Sequence, residues 1–200
     1  MSVSDSTFHD QKYRKYFKKY GANPKSLLWG SYKSAAIRYK ELVDNLDIEN
    51  KTILDVGCGM GDLMPYLFAK TSNFNYLGVD INEEFINIAK DRYLGQKFKV
   101  ANPFDGNFKA RYDIVLCSGV MNANVPDWPI QRQKMITKLF GLTKDCLVFN
   151  MAGGQGRYTN TSLIAYANAE EIKAFCLILT PKVALKADYH PKDFTITMLK

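Results

Sequence analysis

The run "ILDVGCGMGDL", residues 53–63, constrains the chain most, because apolar β-branched residues pass directly into three alternating glycines, Gly57, Gly59 and Gly61. Such a run is a buried strand turning towards a helix, with glycines where the backbone comes close to a ligand. The spacing limits which ligand. A dinucleotide loop needs G-x-G-x-x-G, and this one reads G-x-G-x-G. A phosphate-gripping loop would continue into Lys and Ser or Thr, whereas Asp62 and Leu63 follow here.

The rest of the chain alternates in the same manner. "KTILDV", "NYLGVD", "KFKVAN", "YDIVLCS" and "CLVFNM" read as strands, separated by amphipathic segments. "GDLMPYLFAK" reads as a helix that admits Pro65 in its first turn, where the backbone N–H has no helical partner. Asn82 caps a helix that carries Glu83 and Glu84 in its first turn, and Asn168 with Glu170 and Glu171 opens another that ends before Pro181. Residues 128–140 form an amphipathic helix stopped by Gly141, and "VALKADY" and "FTITML" close the chain around the short turn "HPKD". The expected fold is α/β and doubly wound: a mainly parallel seven-stranded sheet with helices on both faces, the last strand antiparallel. The long irregular stretch 152–168 is a candidate lid.

Two hundred residues suit one globular unit, which divides into a basic N-terminal helical cap, 1–34, and an α/β domain, 35–200. The net charge of +7 comes from the first forty residues, which hold nine basic and two acidic side chains, so the remainder is balanced. Any electrostatic attraction to an anionic partner should therefore arise at the N-terminal segment. The stretch "KYRKYFKKY" interleaves bases with Tyr13, Tyr16, Phe17 and Tyr20, which fall on one helical face. That pattern suits either nucleic acid or a helix packing its rings over a cofactor mouth. No apolar run is long enough for a membrane, so no membrane partner is expected, and the N-terminus lacks a secretory pattern. Four scattered cysteines without a C-x-x-C pair read as reduced buried thiols, which fits a cytoplasmic location, and no metal is expected.

In such a sheet ligands bind beyond the carboxyl ends of the strands. Asp62, expected in the first helical turn, would compete with a pyrophosphate for the positive helix end. Asp55 adds a second negative group suited to a cationic ligand, or else ties down the loop. Asp80 ends the second strand nineteen residues after Gly61, where a carboxylate accepts hydrogen bonds from ribose hydroxyls. A nucleoside joined to a cation and lacking phosphate is S-adenosylmethionine.

"LDVGCGMGD" together with "YLGVDIN" resembles the motifs of class I S-adenosylmethionine-dependent methyltransferases, a Rossmann-like family, from about residue 35 onward. The resemblance implies that Gly57, Cys58 and Gly59 approach the methionyl portion, Asp80 binds ribose and Ile81 lies against adenine. It also implies that "VANPF" reads the adenine edge through Asn102 and the backbone near Pro103, and that Cys117 and Ser118 border the transferable methyl. Many members carry aspartate where Asn102 stands; an amide oxygen can still accept from the adenine amino group. Arg38 matches the arginine that similar enzymes use for the methionine carboxylate. The product would be S-adenosylhomocysteine.

The expected activity is methyl transfer to an oxygen or nitrogen of a small molecule, an anionic one included: a sugar, a phosphorylated metabolite or a natural-product intermediate. The alternative is an RNA methyltransferase or RNA-binding protein using the basic helix. "SGVMN" stands where an N-P-P-[YF] motif would follow the fourth strand, which speaks against methylation of base amino groups. Trp29, Tyr32, Asn122 and Asn150 are candidate substrate contacts. A hydroxyl acceptor needs a proton acceptor, and only His9 and His190 titrate ordinarily near neutrality. His190, in the turn on the ligand side, is the first candidate for general base and His9 the second. A solvated turn residue is the alternative for His190.

Overall fold

The computed structural model describes residues 3–27, 31–105, 108–154, 158–161 and 163–200, with side chains from residue 11 onward except those of Lys12 and Pro24. Helix α1, Val3–Tyr20, leads through a 3-10 turn, Pro24–Leu27, to α2, Tyr32–Val43, whose N-cap Ser31 accepts from the Ser34 N–H. The α/β part then runs β1 Thr52–Val56, α3 Met64–Phe68, β2 Asn75–Asp80, α4 Glu83–Arg92, β3 Lys97–Val100 and β4 Tyr112–Ser118. It continues with α5 Trp128–Gly141, β5 Thr143–Gly154, β6 Ala167–Asn168, α6 Ala169–Leu179, β7 Val183–Lys186 and β8 Asp193–Leu199.

The seven main strands lie in the order β3-β2-β1-β4-β5-β8-β7. β1 pairs parallel with β2 and β4, and β5 with β4, while β8 runs antiparallel to β5 and β7. The expected doubly wound sheet is therefore present. An added two-residue strand, β6, pairs with the far end of β5, which extends three residues beyond the expected "CLVFNM". Such a short pairing leaves no periodic trace in the sequence.

A strand buried on both faces needs apolar residues on each, and β1 supplies them with Ile53, Leu54 and Val56. Leu54 and Val56 pack with Met135, Ile136 and Leu139 of α5 on one face, and Ile53 packs with Leu42, Leu67 and Ile86 from α2, α3 and α4 on the other. The predicted caps form: Asn82 accepts from the Phe85 N–H, and Asn168 from the N–H groups of Glu170 and Glu171. Helix α3 is shorter than expected, five residues, because Gly61, Asp62 and Leu63 remain in turns before it.

Helix α1 turns its aromatic stripe inward. The Tyr13 and Phe17 rings meet Phe85 of α4 edge-on at 6.1 and 5.7 Å, while Lys15, Lys18 and Lys19 stay exposed. Among the described residues no helix is long and apolar enough to cross a membrane.

Candidate active-site cavity

A cavity of about 440 Å³ opens at the carboxyl ends of β1, β2 and β4. Tyr13 of α1 and Leu27 cover it, Ser34 and Arg38 of α2 form one side, and Leu163, Ile164 and Tyr166 of the expected lid form another. This is the size and place of a small-ligand site in an open parallel sheet.

The glycine loop spends its backbone donors internally. The N–H groups of Gly57 and Cys58 both donate to the Val79 carbonyl at 2.8 and 3.1 Å, Gly61 donates to Cys58, and Gly59 donates to Asp80 Oδ2 at 2.9 Å. A pyrophosphate would need several of these groups at once. Gly57 is required at the turn itself: its φ is +71°, and a Cβ there would sit 2.1 Å from Val120 Cγ2. The role expected of Asp62 needs correction. It precedes the helix rather than occupying its first turn, and it pairs with Arg92 at 2.8 Å away from the cavity. The engaged N–H groups of Gly57, Cys58, Gly59 and Gly61, not Asp62, argue against a dinucleotide.

Asp80 lines the cavity at the end of β2 with both oxygens anchored, Oδ2 by Gly59 and Oδ1 by the Asn82 N–H at 2.9 Å. These two bonds fix the orientation of the carboxylate at the cavity wall. Ile81, Asn102 and Pro103 line the same end, with Phe85 and Phe104. Asn102 Oδ1 already accepts from the Phe104 N–H at 3.1 Å, which holds the amide in a local turn.

Four expected cofactor contacts lie behind this wall. Asp55 is buried and accepts from the Tyr76 hydroxyl at 2.7 Å; burial pushes its carboxyl up to about 7, against the lowering effect of that bond. Cys58, Gly59 and Cys117 are buried and do not line the cavity either. In a strand neighbouring side chains face opposite ways, so a place at the strand end does not decide which residue meets the ligand. Burial raises the Cys58 and Cys117 thiols well above their ordinary value, so neither is a nucleophile.

On the opposite side Ser118 lines the cavity and donates to Asn150 Oδ1 at 3.0 Å, while Asn150 Nδ2 donates to the Arg38 carbonyl at 3.2 Å. Asn150 is thus a buried tie between β4, β5 and α2 rather than a substrate contact. Asn122 does line the cavity, and its Oδ1 accepts from the Ala152 N–H at 2.8 Å. Arg132 of α5 fixes this rim from beneath: Nε donates to the Met121 carbonyl at 2.8 Å and a terminal nitrogen to the Ala165 carbonyl, while the guanidinium lies over Trp128. Tyr32 is 65% exposed and off the cavity. Trp29 falls outside the described residues, as does the side chain of His9.

His190, Ser34, Arg38 and Asp193 form a closed ring on the cavity wall. Arg38 binds Asp193 Oδ2 with one terminal nitrogen, and with the other it donates to the Ser34 hydroxyl and, at 2.9 Å, to the Ser34 carbonyl. The Ser34 hydroxyl lies 3.3 Å from His190 Nε2, and His190 Nδ1 lies 2.5 Å from the same Asp193 oxygen. Nδ1 also faces the Lys192 N–H at 3.2 Å, so it accepts from Lys192 in one tautomer and donates to Asp193 when protonated. Burial lowers the His190 pKa, with Arg38 and Lys192 adding to the fall and Asp193 opposing it. Burial raises the Asp193 carboxyl, which Arg38 holds back. Asp193 and Ser34 had no sequence signal as site residues beyond standing three positions after His190 and four before Arg38.

Residues 54–145 match the sequence pattern of a methyltransferase-domain family. A viral protein named as a methyltransferase, from invertebrate iridescent virus 6, is 35% identical over 78 residues, 38% of this chain and 29% of that protein. The ubiquinone biosynthesis O-methyltransferase of Hydrogenovibrio crunogenus is 41% identical over 86 residues, 40% of this chain and 34% of that one. The match thus spans about a third of each curated relative's length. Among solved structures, magnesium protoporphyrin IX methyltransferase from Synechocystis with bound S-adenosylmethionine superposes with a TM-score of 0.68 at 17% identity, covering 100% of this chain and 98% of that one. At that identity the likeness concerns the fold.

Proposed function

We propose that this chain is a class I S-adenosylmethionine-dependent methyltransferase that transfers a methyl group from S-adenosylmethionine to an oxygen or nitrogen of a small molecule, a reading supported by the methyltransferase-domain match over residues 54–145 and by the fold. The observation that carries this reading is Asp80, a carboxylate anchored by two backbone N–H groups at the end of β2, beside a glycine loop whose own N–H groups are spent. That combination favours a ribose and disfavours a pyrophosphate.

In this reading Asp80 takes the ribose hydroxyls, Ile81, Asn102 and Pro103 border adenine, and Gly57, Ser118 and Arg38 lie along the methionyl portion. The bound cofactor supplies an electrophilic methyl on a sulfonium. The protein's share is to align the acceptor and to take its proton. Ala123, Leu163, Ile164 and Tyr166 give the acceptor an apolar bed, with Asn122, His190 and Lys192 as polar contacts. Lys192 suits an acidic group on the acceptor. His190 serves as general base through Nε2, in the tautomer whose Nδ1–H is held by Asp193. Its lowered pKa keeps the imidazole neutral, hence able to accept a proton, at physiological pH. The basic helix α1 is a cover in this reading: its Tyr13 and Phe17 rings pack on Phe85, and Tyr13 lines the cavity, so these two rings are turned inward rather than towards RNA bases.

A panel of hydroxylated and aminated small acids assayed for S-adenosylhomocysteine release identifies the acceptor. With it, His190→Ala should lower kcat at least about 100-fold while S-adenosylhomocysteine affinity stays within a few-fold. A drop in kcat of less than a few-fold would remove His190 as the base.

A further inference from the structure

A guanidinium and an imidazole share one carboxylate oxygen. Arg38 and His190 Nδ1 both contact Asp193 Oδ2, and Asp193 is 2% exposed, so water cannot share the load. The charged and polar groups around the imidazole are Ser34, Arg38 and Glu41 of α2, Tyr189, Lys192 and Asp193 of its own turn, and Tyr158 and Tyr166 of the 158–166 segment. Glu41 is taken by Lys186 at 2.6 Å, Tyr189 accepts from Thr195, and Tyr158 donates to the Pro191 carbonyl. Among the described cavity-lining residues Arg38, Lys192 and His190 are the cationic or cation-forming ones, and of these Arg38 is the buried one. If the cofactor reading above holds, the ligand's nucleoside is fixed at Asp80 and its amino-acid carboxylate needs a cation on the facing wall.

We propose that Asp193 is a positioning residue for His190 whose grip is set by what occupies Arg38. A ligand carboxylate arriving at the guanidinium draws it from Asp193, and the freed oxygen turns to His190 Nδ1–H. The base is thereby strengthened at Nε2 only when cofactor is in place. No covalent bond changes in this step. The ion pair exchanges partners, and because Arg38 also holds the Ser34 hydroxyl, the contact of that hydroxyl with Nε2 loosens at the same moment. The sign follows from charge: neutralising Arg38 removes a repulsion on the imidazolium, and Asp193 then acts on it undivided.

The chain has two histidines, so its imidazole 15N signals are few, and His9→Gln assigns them. The His190 titration is followed by NMR in the free protein, with saturating S-adenosylhomocysteine, and with saturating 5′-methylthioadenosine, which keeps the nucleoside and lacks the carboxylate. Calorimetry confirms saturation. The midpoint should rise by about one pH unit with S-adenosylhomocysteine, the usual scale for a neighbouring charge, and stay in place with methylthioadenosine. In Arg38→Gln the free-protein midpoint should already be raised, and S-adenosylhomocysteine should move it no further. Should that variant not fold, the comparison of ligands in the native chain stands alone. Bound S-adenosylhomocysteine without a rise, or an equal rise with methylthioadenosine, overturns the coupling while leaving the cofactor reading intact. Failure of S-adenosylhomocysteine to bind overturns both.

Discussion

At the amino ends of the strands Asp113 accepts from the Thr52 hydroxyl at 2.6 Å and its N–H at 2.8 Å, pairs with Lys144, and has its carboxyl drawn down to about 2. At the carboxyl end of the neighbouring strand Asp55 lies buried with the Tyr76 hydroxyl and is pushed up to about 7. Asp80, one strand further, has its two oxygens fixed by backbone N–H groups and lines the cavity. The same residue type therefore does three things in one sheet. Where donors saturate it, the carboxylate fastens strands together. Where backbone donors fix it on the cavity wall, it is placed to meet a ligand. The two ends of the sheet differ in what surrounds the acid, not in the acid.

The largest effect expected from this contrast is on ligand binding. Asp80→Ala should weaken S-adenosylhomocysteine binding by roughly 1.5–3 kcal/mol, the scale of lost charge-assisted hydrogen bonds, as read by calorimetry. Asp113→Ala should leave that affinity alone and instead lower unfolding stability by about 1–2 kcal/mol. Equal losses of affinity in the two variants would erase the distinction between the ends.

Asp55 sharpens the comparison through pH. Its folded pKa, about 7, lies above its unfolded value, so folding holds a proton that the unfolded chain releases. The associated stability is complete below about pH 4 and is lost as pH rises towards 7. Asp55→Asn cannot ionise and still accepts from Tyr76. Relative to this variant the native chain should lose on the order of 2 kcal/mol between pH 4.5 and pH 8 in urea unfolding. Parallel pH profiles would mean that Asp55 ionises freely in the fold.

How much of this was legible in the sequence depends on the range of the interaction involved. The strand–helix alternation, the antiparallel last strand, the caps Asn82 and Asn168 and the place of Asp80 at the end of β2 follow from periodicity and short spacing, which the chain writes locally. Asp62 was misplaced because the loop takes an extra turn before α3, and Arg92, which claims it, lies thirty residues away. Asp55 and Cys117 stand near strand ends as expected, yet the pleat turns them from the cavity, and Cys58 and Gly59 are buried in the loop after β1. The ring of Ser34, Arg38, His190 and Asp193 joins residues about 155 positions apart, and no local pattern announces it.

The smallest effect belongs to the N-terminal helix. Replacing Lys15, Lys18 and Lys19 with Gln should change S-adenosylhomocysteine affinity by less than about 0.5 kcal/mol, because these lysines are exposed and screened. An acidic acceptor attracted by them would show a raised KM that shrinks in high salt. Loss of cofactor affinity and stability together would make the helix a packing element through its charged face as well.

The loop after β1, with its glycine N–H groups engaged and Asp80 beyond it, should select a nucleoside without phosphates. Calorimetry of the native chain with S-adenosylhomocysteine and with NAD tests it most directly. The account predicts micromolar binding of S-adenosylhomocysteine and no measurable binding of NAD. NAD binding as tightly as S-adenosylhomocysteine would contradict it.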